Sequence, residues 1–169
     1  MQTGKELNLD KAVNTMKNVF IALALACSLT AMAQTDDKAA AVKALVESQN
    51  FVFRAYTALP LDGQVRNLST DYAMTISADR VTSDLPYFGK AYTAVDPSKG
   101  GMDFTSKKFY YKMAQRKNGD WAVTIKPEDL ELDVRQIYID VTKAGYATLR
   151  VISSNRDAIS YTGAVGSPN

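Results

Sequence analysis

Phe109-Tyr110-Tyr111-Lys112-Met113-Ala114-Gln115-Arg116-Lys117-Asn118-Gly119-Asp120-Trp121-Ala122-Val123-Thr124-Ile125-Lys126 is the stretch that decides the fold. On both sides of Asn118-Gly119 the chain is dense in aromatic and β-branched residues and alternates between apolar and polar, the period of a strand with one buried face. Asn-Gly between two such runs is the strongest short-range hairpin signal, because both central positions of a type I′ turn need positive φ. The expectation is therefore a hairpin whose strands run from Phe104 to Arg116 and from Trp121 to Lys126.

Working outward, the same alternation recurs. Phe51 to Ala58 and Tyr72 to Ala78 read as strands, the second with Tyr72, Met74, Ile76 and Ala78 on one face. Arg80 to Ser83 is a short strand, and Lys90 to Ala94 looks extended before a loop at Pro97 to Gly101. Leu130 to Thr142 holds one bent strand or two, Gly145 supplies a left-handed turn position, and Tyr146 to Ile152 follows. Ser154 to Asp157 then turns into a last strand, Ala158 to Val165. About eight strands on short loops form an antiparallel meander, which protects its edges by closing into a small barrel or a strongly curved sheet. No internal repeat interrupts this body, which spans residues 51–165. Gly166 to Asn169 reads as a frayed tail.

Upstream the period changes. Val42, Leu45 and Val46, with Ala39 one turn earlier, form an apolar helical stripe, and Asp36 and Asp37 suit the positive end of that helix. Residues 34–50 are assigned to this N-terminal segment. Before it, Lys17, the apolar block Val19 to Leu29 and the small residues Ala31 and Ala33 have the layout of a secretory signal peptide over residues 16–33, itself helical in its core. Cleavage is expected between Ala33 and Gln34. Met16 is then the biological start and residues 1–15 an upstream extension. The apolar block falls short of the roughly 20 residues a membrane-spanning helix needs, so no transmembrane helix is expected in the mature chain. A rival reading makes Cys27 a lipid attachment site, since Ala24-Leu25-Ala26-Cys27 loosely resembles a lipobox. Apolar Leu29, Ala31 and Met32 argue against it, because a tethered protein usually begins with a polar segment.

Export would leave about 136 residues, one domain with room for a core. Cys27 is the single cysteine, so the exported part has none despite an oxidising destination, and its stability rests on packing and hydrogen bonds. The charge is close to balanced, which removes the electrostatic case for nucleic acid. With no histidine anywhere, the commonest general base and the usual zinc and triad chemistries are also lost.

What remains is carboxylate, lysine, tyrosine or serine chemistry. Asp129, Glu131 and Asp133 would share one side of a strand, neighbours roughly 7 Å apart at about 3.3 Å rise per residue, a spacing compatible with a glycosidase pair. Leu130, Leu132 and Val134 alternate with them, so the plainer reading is a strand with a solvated acidic face. With Glu128 the same acids could converge on calcium, but no calcium-loop pattern accompanies them. Lys107, Lys108, Lys112, Arg116 and Lys117 among Phe109, Tyr110 and Tyr111 superficially suggest a stacking nucleic-acid surface; export favours a charged outer hairpin face. No cofactor and no metal site is expected.

Binding is best sought at the aromatic corner Leu85-Pro86-Tyr87-Phe88-Gly89-Lys90-Ala91-Tyr92, where a proline fixes the backbone and a glycine allows close approach. Against this, Phe88 could plug the barrel, Tyr87 could pack across the corner, and Arg156 could bond turn carbonyls or a nearby acid. This corner, the Gly145 to Ala147 turn, and Asn155-Arg156 followed by Ile159-Ser160-Tyr161-x-Gly163 together resemble domain-of-unknown-function family 4251 over about Leu45 to Val165. The resemblance implies an exported protein of Bacteroidota with a lipocalin-like β fold and no established activity; it brings no catalytic residues. Tyr146 departs from it, standing where a small or polar residue is expected. The candidate ligand-binding set is Tyr87, Phe88, Tyr92, Arg156 and Tyr161. The expected function is a non-catalytic periplasmic binding or interaction module for an apolar ligand, a glycan or an envelope partner. The alternatives are a carboxylate-dependent enzyme on envelope glycans and a purely structural envelope protein.

Overall fold

Alternation along successive segments buries one face of each, and the chain satisfies all of them by wrapping one antiparallel sheet around a shared core. The structure, a computed structural model, describes residues 37–68, 72–92, 101–129 and 132–168. The expected signal peptide with Ala33, Gln34 and Cys27, the start of the helix at Asp36, most of the Pro97 to Gly101 loop, Leu130, Glu131 and Asn169 lie outside those residues.

Among the described residues, helix α1 covers 37–47 and is followed by ten strands: β1 (Phe51–Leu59), β2 (Arg66–Asn67), β3 (Ala73–Ser77), β4 (Arg80–Asp84), β5 (Phe104–Ser106), β6 (Phe109–Gln115), β7 (Trp121–Pro127), β8 (Val134–Val141), β9 (Tyr146–Ser153) and β10 (Ile159–Gly166). Nine of them follow one path, β5-β4-β3-β1-β10-β9-β8-β7-β6, while β2 pairs with β1. Every pairing is antiparallel. The ends of the path, β5 and β6, succeed each other in the chain with only Lys107 and Lys108 between them, so the sheet is nearly closed into a barrel.

Inward residues fill the interior. Phe51, Phe53, Met74, Ile76, Ile125, Ile137, Ile139, Leu149, Ile159 and Tyr161 are all essentially inaccessible, and Val42 and Val46 of α1 join the same cluster. The Tyr111 hydroxyl donates to the Val46 carbonyl at 2.7 Å, fastening the helix to β6. Gly163 marks the tightest backbone contact. A Cβ there would lie 1.9 Å from the Arg54 carbonyl oxygen, beside a β-bulge between Ala55 and Thr57.

Five sequence expectations are corrected. The Asn118-Gly119 turn forms, but only Gly119 has positive φ (86°); Asn118 does not. Arg116 N donates to Asp120 O and Gly119 N to Arg116 O, which makes a three-residue loop closed by a left-handed glycine, not a type I′ turn. The expected strand Phe104 to Arg116 breaks at Lys107-Lys108, where Ser106 Oγ bonds the Lys108 carbonyl and the Asp129 carboxylate. Lys90 to Ala94 contributes an isolated bridge, Ala91 to Arg156, and no strand among its described residues. Pairing in β8 begins at Val134, so Asp129 and Asp133 sit in a connection and not on an acidic strand face. Gly166, assigned to the tail, ends β10.

Candidate functional site

Strands β4, β9 and β10 deliver the aromatic corner and the Asn155–Asp157 turn to the same end of the barrel. The two segments are zipped together by backbone bonds: Tyr92 N to Asn155 O at 2.8 Å and Asp157 N to Lys90 O at 3.0 Å, with the Ala91–Arg156 bridge between them. Pro86 contributes by pointing its carbonyl at Tyr161, which donates its hydroxyl across 2.7 Å from the barrel interior. Tyr161 is fully buried, so it supports the corner from beneath and departs from the expectation of a direct ligand contact.

Tyr87 folds back over Gly89. Its hydroxyl is shared between the carbonyls of Lys90 (2.8 Å) and Asp157 (3.1 Å), and a Cβ at Gly89 would lie 2.3 Å from that oxygen. The glycine therefore makes room for the corner's own phenol. Burial first, and the Asp157 carboxylate second, push the Tyr87 hydroxyl up to about 12, so it stays protonated at neutral pH and is no base. Tyr92 gives its hydroxyl to the Asp157 carboxylate, and that bond foremost makes the phenol harder to ionise, raising its pKa, while the residue remains 68% exposed.

Arg156 is the keystone of the turn. Nη1 donates to Gly101 O at 2.6 Å, Nε lies 3.0 Å from Asp133 Oδ2, and the guanidinium stands 5.4 Å from the Tyr87 ring centroid. The Nε contact is not aligned as a hydrogen bond, so charge holds that pair. Only about a tenth of the Arg156 side chain is exposed. Asp103 joins the same neighbourhood. Burial and then the nearby Asp84 raise its carboxyl above the usual range.

The structure thus gathers all five sequence candidates at one end but gives them different work. Tyr87, Arg156 and Tyr161 are spent on holding loops, whereas the Tyr92 ring is exposed and Phe88 packs one side against the core. Phe88 is half-buried, with Arg66 stacked 4.9 Å from its centroid. It lines a cleft of about 340 Å³ with Leu61, Asp62, Gly89, Lys90 and Asp157. Leu61 in this lining is 68% exposed. Sequence reasoning missed Asp157, Gly101 and Arg66, and it read Asp133 as part of an acidic strand face instead of as the partner of Arg156, because these partners lie far away in the chain.

The acidic set resolves without a shared centre among the described residues. Asp129 accepts from Ser106 Oγ and from Lys108 N at 3.4 Å; the Ser106 bond is the main reason its carboxyl is held below the usual range. Asp133 belongs to Arg156.

The family model for DUF4251, a domain of unknown function, matches residues 33–165. The chain is also similar to the crystal structure of a DUF4251 family protein from Bacteroides eggerthii DSM 20697, with a TM-score of 0.59 and 16% identity, covering 77% of this chain and 87% of that one. No curated protein matches it.

Proposed function

The chain belongs to the DUF4251 family, and from that premise we propose that it is an exported, non-catalytic binding or interaction module that uses the loop end of a lipocalin-like barrel. The observation that carries the reading is a division of labour. Buried polar groups fix the corner, and exposed Leu61 and Tyr92 with half-buried Phe88 give an apolar rim to a mixed-charge cleft at Lys90, Asp62 and Asp157. Rigid loops that present such a surface are suited to recognition. The filled interior moves the ligand from inside the barrel to its mouth, where an apolar ligand or an envelope partner is accessible.

Export to the periplasm is supported by the signal-peptide layout, and the family match begins at residue 33, beside the expected Ala33–Gln34 cut. Anchoring through Cys27 is the alternative. N-terminal sequencing of the exported protein separates them, since free Gln34 and a lipidated Cys27 exclude one another. The carboxylate-enzyme alternative finds no support in Asp129 and Asp133, each already committed to a structural partner.

Native mass spectrometry of the protein isolated from an envelope extract tests the binding reading. A small molecule or partner should accompany the wild-type chain and be lost from Phe88→Asp. A bare wild-type chain, or a companion retained equally by the variant, contradicts the proposal.

A further inference from the structure

A second concavity lies on the outer wall, towards the opposite end from the aromatic corner. Asp140 of β8, Thr148 of β9 and Thr162 of β10 are paired in register across three strands, forming a polar row on the outward face. The bulge at Ala55/Thr57 turns Tyr56 out beside this row, and Gly163 permits the close crossing that creates the bulge. Tyr146 stands two residues before Thr148, on the same face of β9. The two tyrosines are 52% and 64% exposed and line one pocket of about 290 Å³ with the polar row.

We propose that this pocket binds a neutral saccharide through a pyranose ring. A pyranose presents apolar C–H faces and a rim of hydroxyls that both donate and accept. The tyrosines supply flat rings for the faces. The Asp140 carboxylate accepts, Arg116 donates, and the threonine hydroxyls do either. The polar groups are held in place before any ligand arrives. Arg116 is ion-paired with Asp140, and Thr162 Oγ1 lies 2.5 Å from Thr57 Oγ1. The Arg116 hairpin is tied to the next turn through Lys143 N, which donates to Asp120 Oδ1 at 3.3 Å. Preorganisation of this kind lowers the entropy lost on binding. Because Asp140 neutralises Arg116 and Asp120 adds a further negative charge, the described lining residues leave no spare cation for a uronate or phosphate. Its volume suits one ring at the low end of ligand pockets.

The site is independent of the loop end, so either can fail alone. The test is a titration of the ¹⁵N-labelled protein with maltohexaose, cellohexaose, mannohexaose and oligogalacturonate, followed by amide chemical shifts. At least one neutral hexaose should shift Asp140, Thr148 and Thr162 saturably and ahead of oligogalacturonate. Tyr146→Ala and Tyr56→Ala, both at exposed positions, should each weaken the response about five- to tenfold with an unchanged unfolding temperature. Phe88→Ala should leave it intact. No response to any neutral hexaose, stronger binding of the uronate, a response confined to the Phe88 corner, or equal binding by both tyrosine variants would each overturn the proposal.

Discussion

The two ends of this barrel are finished by opposite means. At the helix end, β6–β7 and β8–β9 are joined by the same three-residue loop, each closed by a glycine at positive φ, Gly119 (86°) and Gly145 (83°). Val42 of α1 packs 3.4 Å from where a Cβ on Gly145 would stand, so turn and helix close that end with local geometry and apolar contact. At the other end, the long connection between β4 and β5 has little regular structure among its described residues and is held by side chains: Tyr161 on Pro86, Tyr87 on Lys90 and Asp157, Arg156 on Gly101 and Asp133. Short loops are specified by their own residues, whereas long ones need distant polar staples, and long ordered loops are where binding surfaces are usually carried.

The largest expected effect breaks the wall common to both ends. Gly163→Ala places a methyl group against the Arg54 carbonyl at 1.9 Å, a backbone contact no side-chain rotation relieves. The cost should be at least about 3 kcal/mol, lowering Tm by more than about 10 °C in a thermal melt. Next, Arg156→Met leaves Asp133 without its cation and Gly101 without its donor. Breaking a largely buried pair costs about 3–5 kcal/mol; with Asp133 about a quarter exposed, about 2–4 kcal/mol is expected by denaturant titration.

Smaller effects sharpen the contrast. Tyr161→Phe removes one buried hydroxyl and strands the Pro86 carbonyl, for about 1–2 kcal/mol. Gly145→Ala, strained at positive φ, should cost about 1 kcal/mol and act only on the helix end. The least effect at neutral pH belongs to Tyr87→Phe. Burial raises the Tyr87 pKa from 10 to about 12, so the folded state prefers the protonated phenol. That contribution is complete below pH 10 and is lost as pH rises through about 12. Tyr161 and Tyr111 are raised for the same reason, so stability should decline above pH 10 at both ends, less steeply in Tyr87→Phe.

Much of the wall was legible because alternation is local. Phe51 to Ala58, Trp121 to Lys126 and Tyr146 to Ile152 announce strands through neighbours two residues apart, and β1, β7 and β9 follow them closely. What escaped depends on partners far off in the chain. The break at Lys107-Lys108 requires Asp129, and the role of Asp133 requires Arg156. The turn class at Asn118-Gly119 follows from the Gln115–Trp121 register, which turn residues alone do not specify. The aromatic corner could be read as a cluster, yet which rings face solvent is decided by Gly101, Asp157 and Pro86 carbonyls that periodicity cannot reveal. The wall pocket left one trace, Tyr146 in a place where a small or polar residue was expected.

Arg156 is a staple of the loop end and not of the helix end. Amide hydrogen exchange in Arg156→Met, read residue by residue, tests this most directly. Protection should fall at least tenfold at the Tyr92, Asp157 and Met102 amides, while the β7 and β9 amides near the helix end keep their wild-type rates. Equal loss at both ends, or no loss at the corner, would contradict the account.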